Sequence, residues 1–134
     1  MSEMIENTGM DRQKLKTFIL EIYPASADRP WLQYPNYEVF RHSSNQKWFA
    51  VIMDLPKSKL GLQGEERIDA VNLKYGPILA GSLLMENGFF PAYHMRKDSW
   101  ITVALDGSVA DDKIKMLLDV SYQATAPKVR KKKG

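Results

Sequence analysis

Between Pro91 and Leu105 the chain crowds Tyr93, His94, Arg96, Lys97 and Trp100 into eight positions. Cations of this kind supply the salt-dependent attraction to phosphate, and rings stack on bases or wedge between them. Arg41 and Lys74, each closing a run with strand character, extend the set. Every one of these residues also has a plainer account. Trp100 opens a strand and serves equally as core or as a ring near the surface. Tyr93 can anchor the turn after Pro91, and a hydrogen-bonded structural role is the favoured one for His94. Lys74 and Lys97 can be solubilising strand ends. Lys57 and Lys59 stand in a loop, where lysines deter edge-to-edge pairing.

Other chemistries find little support. The chain has no cysteine, which removes disulfides, thiolate nucleophiles and cysteine-ligated zinc. Ser82 follows Gly81 without the G-x-S-x-G elbow of a hydrolase and reads as a small residue inside a helix. The two histidines, His42 and His94, could meet Asp54 or Asp98 in space, but no ligand spacing suggests a metal site. Gly61-Leu62-Gln63-Gly64 is neither a P-loop nor a dinucleotide fingerprint. The acid pairs Glu65-Glu66 and Asp111-Asp112 fit a solvated loop and a helix N-terminus. The expectation is a non-enzymatic protein with no metal and no cofactor.

The elements that would position these side chains follow from periodicity. A helix starts near Thr8 or Asp11, carries Leu15, Phe18, Ile19 and Ile22 on one stripe, and stops at Pro24. Residues 24–36 read as a loop from which Trp31 and Tyr34 pack back. Strands are expected at Tyr37–Arg41, at Lys47–Leu55 and at Arg67–Lys74. The second is apolar on both faces and belongs in the middle of the sheet. In the third, Ile68, Ala70, Asn72 and Lys74 share a face. Gly76-Pro77 opens a second helix with Ile78, Leu79, Leu83 and Met85 buried, ending at Gly88. A strand from Trp100 follows, with a short additional one at Ala92–Met95. Ser108 then caps a last helix in a capping box with Asp111, with Ile114, Leu117, Leu118 and Tyr122 inward. The order α-β-β-β-α-β(β)-α predicts an α+β, two-layer fold: an antiparallel sheet with helices on one face.

A chain of 134 residues makes one domain, expected over residues 1–127, followed by a basic disordered tail at 128–134. The net charge of +3 belongs to that tail, which holds five of the 19 basic residues; without them fourteen bases face 16 acids. A slightly acidic body weakens a nucleic-acid reading, although a local basic patch can coexist with it. The tail itself serves equally as a nonspecific arm or as a solubilising end. The polar start of the chain offers no secretory signal, and the longest apolar run, Trp48 to Met53, cannot span a bilayer. A cytoplasmic protein with no membrane partner is expected.

The segments Val71-Asn72-Leu73-Lys74, P-x-YHM-x-K-x-x-W-x-TV from Pro91 to Val103, and Leu105-Asp106-Gly107-Ser108-Val109 occur in this order. In this the chain resembles the MmcQ/YjbR family of small bacterial proteins, from about Asp11 to Pro127. The resemblance implies a fold like that of secretion chaperones and a DNA-binding role. It places Lys74, Tyr93, His94, Lys97 and Trp100 on motif positions, while Arg41 and Arg96 come from the residues alone. It also makes the Lys57–Lys59 loop a wing reaching toward DNA. One departure stands out: Tyr75 and Gly76 occupy positions where the family carries Cys and Asp. The implied partner is DNA, bound weakly or nonspecifically by a monomer rather than a homodimer. The alternative is a protein-interaction module of the chaperone kind. A small-molecule pocket around Tyr93, His94 and Trp100 has only those side chains behind it.

Overall fold

The structure, a computed structural model, describes residues 9–75 and 82–127. Helix α1 spans Arg12–Ile22, with the Asp11 carboxylate accepting the Lys14 N–H at 2.8 Å as its cap. It ends because Tyr23, preceding Pro24, is extended. Leu15 and Ile19 are fully buried beneath it. Ile22, expected on the same stripe, projects from the last turn and is 57% exposed.

Six strands follow in an antiparallel sheet of order β1-β2-β3-β4-β6-β5. They are β1 (Ala25–Asp28), β2 (Glu38–His42), β3 (Trp48–Pro56), β4 (Arg67–Lys74), β5 (Phe89–Pro91) and β6 (Trp100–Ala104). Strand β1 corrects the expected loop. Ala25 and Ala27 turn toward the core while Ser26 and Asp28 are exposed. In four residues with alanine as the sole apolar type this alternation is weak, and pairing with β2, Ala25 opposite His42, makes the strand. The short strand before β6 lies at 89–91 rather than at Ala92–Met95, where Pro91 and the turn at His94 end the pairing. Between β3 and β4 a single turn of 3-10 helix, Lys57–Leu60, closes on the left-handed Gly61.

Helix α2 spans Asp111–Thr125. Ser108 does not cap it. The cap position is Ala110, without a side-chain bond, and the first turn relies on Asp111 and Asp112 against the helix dipole. Ser108 instead donates its backbone N–H (3.0 Å) and hydroxyl (2.6 Å) to Asp106 within the Asp106-Gly107 turn. Of the helix expected from Gly76, residues 76–81 lie outside the described residues. Ser82–Leu84 forms a helical turn, with Leu83 buried and Met85 86% exposed.

The sheet has two unlike faces. Strand residues Phe40, Phe49, Ile52, Val71, Leu73, Ile101 and Val103 meet Leu15, Ile19, Ile114, Leu117 and Leu118, so α1 and α2 share one face. Each such side chain contributes about 1.5–3 kcal/mol by leaving water. Val39, Val51, Met53, Ile68 and Ala70 face the other way, beneath Trp31, Trp48 and Tyr93 rather than beneath a helix. Among the described residues, loops and the 3-10 turn carrying Leu60 cover that second face. From α2, Ser121 inserts between β3 and β4, accepting the Lys74 N–H at 2.8 Å and donating its hydroxyl to the Phe49 carbonyl.

Candidate functional site

Strand alternation delivers the chemistry-bearing side chains to the helix-free face. In β4, Leu73 points to the helices, so Asn72 and Lys74 point away from them. Lys74 lies opposite Trp100 in β6, and Trp48 lies opposite Arg41 in β2. The Lys74 ammonium stands 6.0 Å from the Trp100 ring centre, and the Arg41 guanidinium carbon 5.5 Å from that of Trp48. Two cation–indole pairs therefore share one end of one face. Trp100 is buried, at 8% exposure, and acts as core beneath Lys74.

The 93–99 loop borders this row and is held from below. Thr102 donates its hydroxyl to the Asn72 side-chain carbonyl and accepts the Tyr93 N–H at 3.0 Å. Asn72 in turn donates its amide to the Tyr93 carbonyl at 2.9 Å. Both backbone polar groups of Tyr93 are thus gripped by two buried side chains from adjacent strands. At the far end of the loop the Tyr75 hydroxyl donates to the Lys97 carbonyl at 2.7 Å, and burial pushes its pKa up. The residue that departs from the expected Cys is a loop anchor.

Held in this way, His94 adopts φ +62°, a conformation seldom taken by residues with a side chain. It is exposed, packed 4.0 Å from the Tyr93 ring centre and 6.0 Å from that of Tyr34. The structural, hydrogen-bonded role expected for it falls instead to His42. That residue is 1% exposed, 2.8 Å from the Thr125 hydroxyl and 4.0 Å from the Tyr122 ring centre. The pattern of the sequence offered no sign of this, because burial of His42 depends on the return of α2 over β2.

Between the 31–37 loop and the 93–95 turn, the open face forms a groove of about 370 Å³. Trp31, Tyr34, Tyr37, Trp48, Tyr93 and His94 contribute rings to it, over Val51 and Met53. Trp31 stands edge-on to Tyr37 and to Trp48, at 83° and 88°, while Tyr34 stacks on Tyr37 at 4.8 Å. Burial, with Tyr93 and Tyr34 nearby, pushes the Tyr37 hydroxyl up to about 12, so it remains a neutral donor. Among the described residues, no carboxylate lines the groove. Tyr93, His94 and Met95 also form one side of a shallower depression that holds Arg96, Lys97 and Trp100.

The structure thus brings together Arg41, Lys74, Tyr93, His94, Arg96, Lys97 and Trp100. It does not bring Lys57 and Lys59 to them. Those two follow the opposite end of β3, about 23 Å away along the seven steps of β4. Carboxylates already engage three of the cations: Arg41 pairs with Asp28 (3.1 Å), Arg96 with Asp98 (2.9 Å) and Lys57 with Glu66 (3.1 Å). Arg96 holds the Asp98 carboxyl below its ordinary range. Asn72, Thr102 and Tyr75, which assemble the site, were not among the expected site residues. They are ordinary strand residues until the loop passes over them.

Comparison with known proteins gives this geometry a context. YyaQ of Bacillus subtilis (strain 168), described as uncharacterized, is 37% identical over 116 residues, 87% of this chain and 98% of its own. YjbR of Escherichia coli (strain K12), also described as uncharacterized, is 44% identical over 59 residues, 43% of this chain and 50% of its own. A crystal structure from Pseudomonas syringae superposes with a TM-score of 0.85 at 44% identity, covering 87% of this chain and all of that one. The Deinococcus radiodurans protein DR2400 shares the fold, with a TM-score of 0.67 at 22% identity, covering 86% of this chain and 78% of its own. The YjbR family model matches residues 20–124, a span that contains the sheet, the groove and all but the last residue of α2, and the chain belongs to the YjbR family.

Proposed function

We propose that this protein is a non-enzymatic binding module that holds nucleic acid on its helix-free sheet face, with phosphates at Lys74 and Lys97. One observation carries the reading: cations and rings from β2, β3, β4, β6 and the 93–97 loop converge on one end of one face. Lys74 and Lys97 have no carboxylate partner among the described residues, so binding phosphate breaks no existing ion pair. Arg41 and Arg96 would first have to leave Asp28 and Asp98. The Lys57–Lys59 turn lies at the opposite end of the sheet and is not part of this cluster.

The test is a titration of labelled oligonucleotide at several salt concentrations. Lys74→Ala with Lys97→Ala should weaken binding and lower the slope of log K against log salt by about 2, one unit per phosphate contact. Unchanged binding in the double variant would remove this surface from consideration. Loss of all binding on deleting residues 128–134 would assign it to the basic tail instead.

A second reading, a protein-binding module, has its own observation. Leu32 at the tip of the groove-covering loop is 95% exposed, an apolar side chain presented to solvent. A partner retained at high salt and lost in Leu32→Ser would favour it.

A further inference from the structure

We infer that the aromatic groove takes an unpaired nucleobase, which makes the open face selective for single strands. This rests on the nucleic-acid reading and specifies what that reading leaves open. The volume, about 370 Å³, falls in the range of small-molecule sites, and six rings supply sequence-tolerant stacking surfaces. The groove lies sunk between the 31–37 loop and the 93–95 turn, so a base must enter it as a free ring. In a duplex the faces of a base are covered by its neighbours, and extrusion costs energy that a single strand does not spend.

Charge decides what kind of flat ligand fits. A cage of rings also suits a quaternary ammonium ion. Here, however, the groove has no acidic lining among the described residues, and its Tyr93–Met95 wall is shared with the depression that holds Lys97 and Arg96. On the other side Trp48 already carries the Arg41 guanidinium. An apolar, ring-lined recess edged by cations matches a base attached to a phosphate. The base stacks in the groove while its phosphate crosses the Tyr93–Met95 wall toward Lys97 and Lys74.

The experiment uses the full chain at low salt with four probes. They are a single-stranded oligonucleotide, the duplex of the same sequence, an abasic strand of equal length, and tetramethylammonium. Anisotropy reports binding of the labelled strands, and tryptophan fluorescence reports occupancy beside Trp31 and Trp48. The base-bearing single strand should bind roughly tenfold tighter than the duplex or the abasic strand. The exposed rim variants Tyr34→Ala and His94→Ala should each lower that preference. Equal binding of base-bearing and abasic strands, or of single strand and duplex, would overturn the inference and leave the open-face reading standing. Absence of binding by every strand would overturn both. A fluorescence change with tetramethylammonium matched by none with the strands would make the groove a cation cage.

Discussion

Replacing Thr102 by valine keeps the side-chain shape and deletes one oxygen, and the fold assigns that oxygen two bonds. It donates to Asn72, which is 1% exposed, and accepts the Tyr93 N–H. Leaving the Asn72 carbonyl oxygen buried and unpaired costs about 1–3 kcal/mol, and loss of the Tyr93 bond about 0.5–1.5 kcal/mol more. Thr102→Val should therefore destabilise by about 2–4 kcal/mol, moving a urea midpoint by about 1–2 M with m unchanged. Changing Asn72 to leucine in the same chain removes the orphaned acceptor. The double variant should then be less destabilised than the two singles summed, by about 1–2 kcal/mol. Urea denaturation of the four proteins completes the cycle. A Thr102→Val cost below about 0.5 kcal/mol, or additivity within that margin, would refute the claim that these two side chains grip the Tyr93 backbone.

Tyr75→Phe removes the bond to the Lys97 carbonyl and should cost about 1 kcal/mol, with faster amide exchange confined to the 96–100 segment. Gly88→Ala should cost about 2–4 kcal/mol by thermal denaturation. A Cβ there would sit 2.5 Å from Val109 Cγ2 and 2.7 Å from Ser108 Oγ, on a backbone with φ +92°. His42 should make stability fall as pH drops below about 6.5. Burial lowers its pKa, with Lys47 adding and the Tyr122 carbonyl opposing, so the unfolded chain binds the proton first. The stabilisation is complete above the unfolded value and is lost as pH falls toward the folded one, by at most about 1.4 kcal/mol per pH unit. His42→Asn should flatten that dependence in melting curves between pH 7.5 and 5.5.

Local patterns were readable where neighbours in the chain determine the outcome. Alternation in Arg67–Lys74 identified β4 and its shared face, and the double-sided apolar run at Trp48–Met53 identified an interior strand. Asp11 capped α1 because a carboxylate three residues ahead of an N–H needs no tertiary help. Ser108 is the local exception, since its hydroxyl goes to Asp106 two residues back and does not cap the helix. Where the partner is distant the signal was too weak: Ala25–Asp28 alternates only alanine with polar residues over four positions, and it is a strand because β2 offers an edge beside it.

The candidate site divides along the same line. Residue types and their order determined the family, the α+β architecture and the presence of cations among rings near Trp100, since each is written into contiguous segments. Only the tertiary structure decided which of them act together. Strand pairing is a long-range event, and it sets Arg41 beside Trp48 and Lys74 beside Trp100 while leaving Lys57 at the opposite end of the sheet. The same pairing buries Asn72 and Thr102 under the Tyr93 backbone, turns His94 outward and His42 inward, and opens the groove beside them. No single segment carries that information, because each of these contacts joins residues at least nine positions apart or crosses from one strand to another.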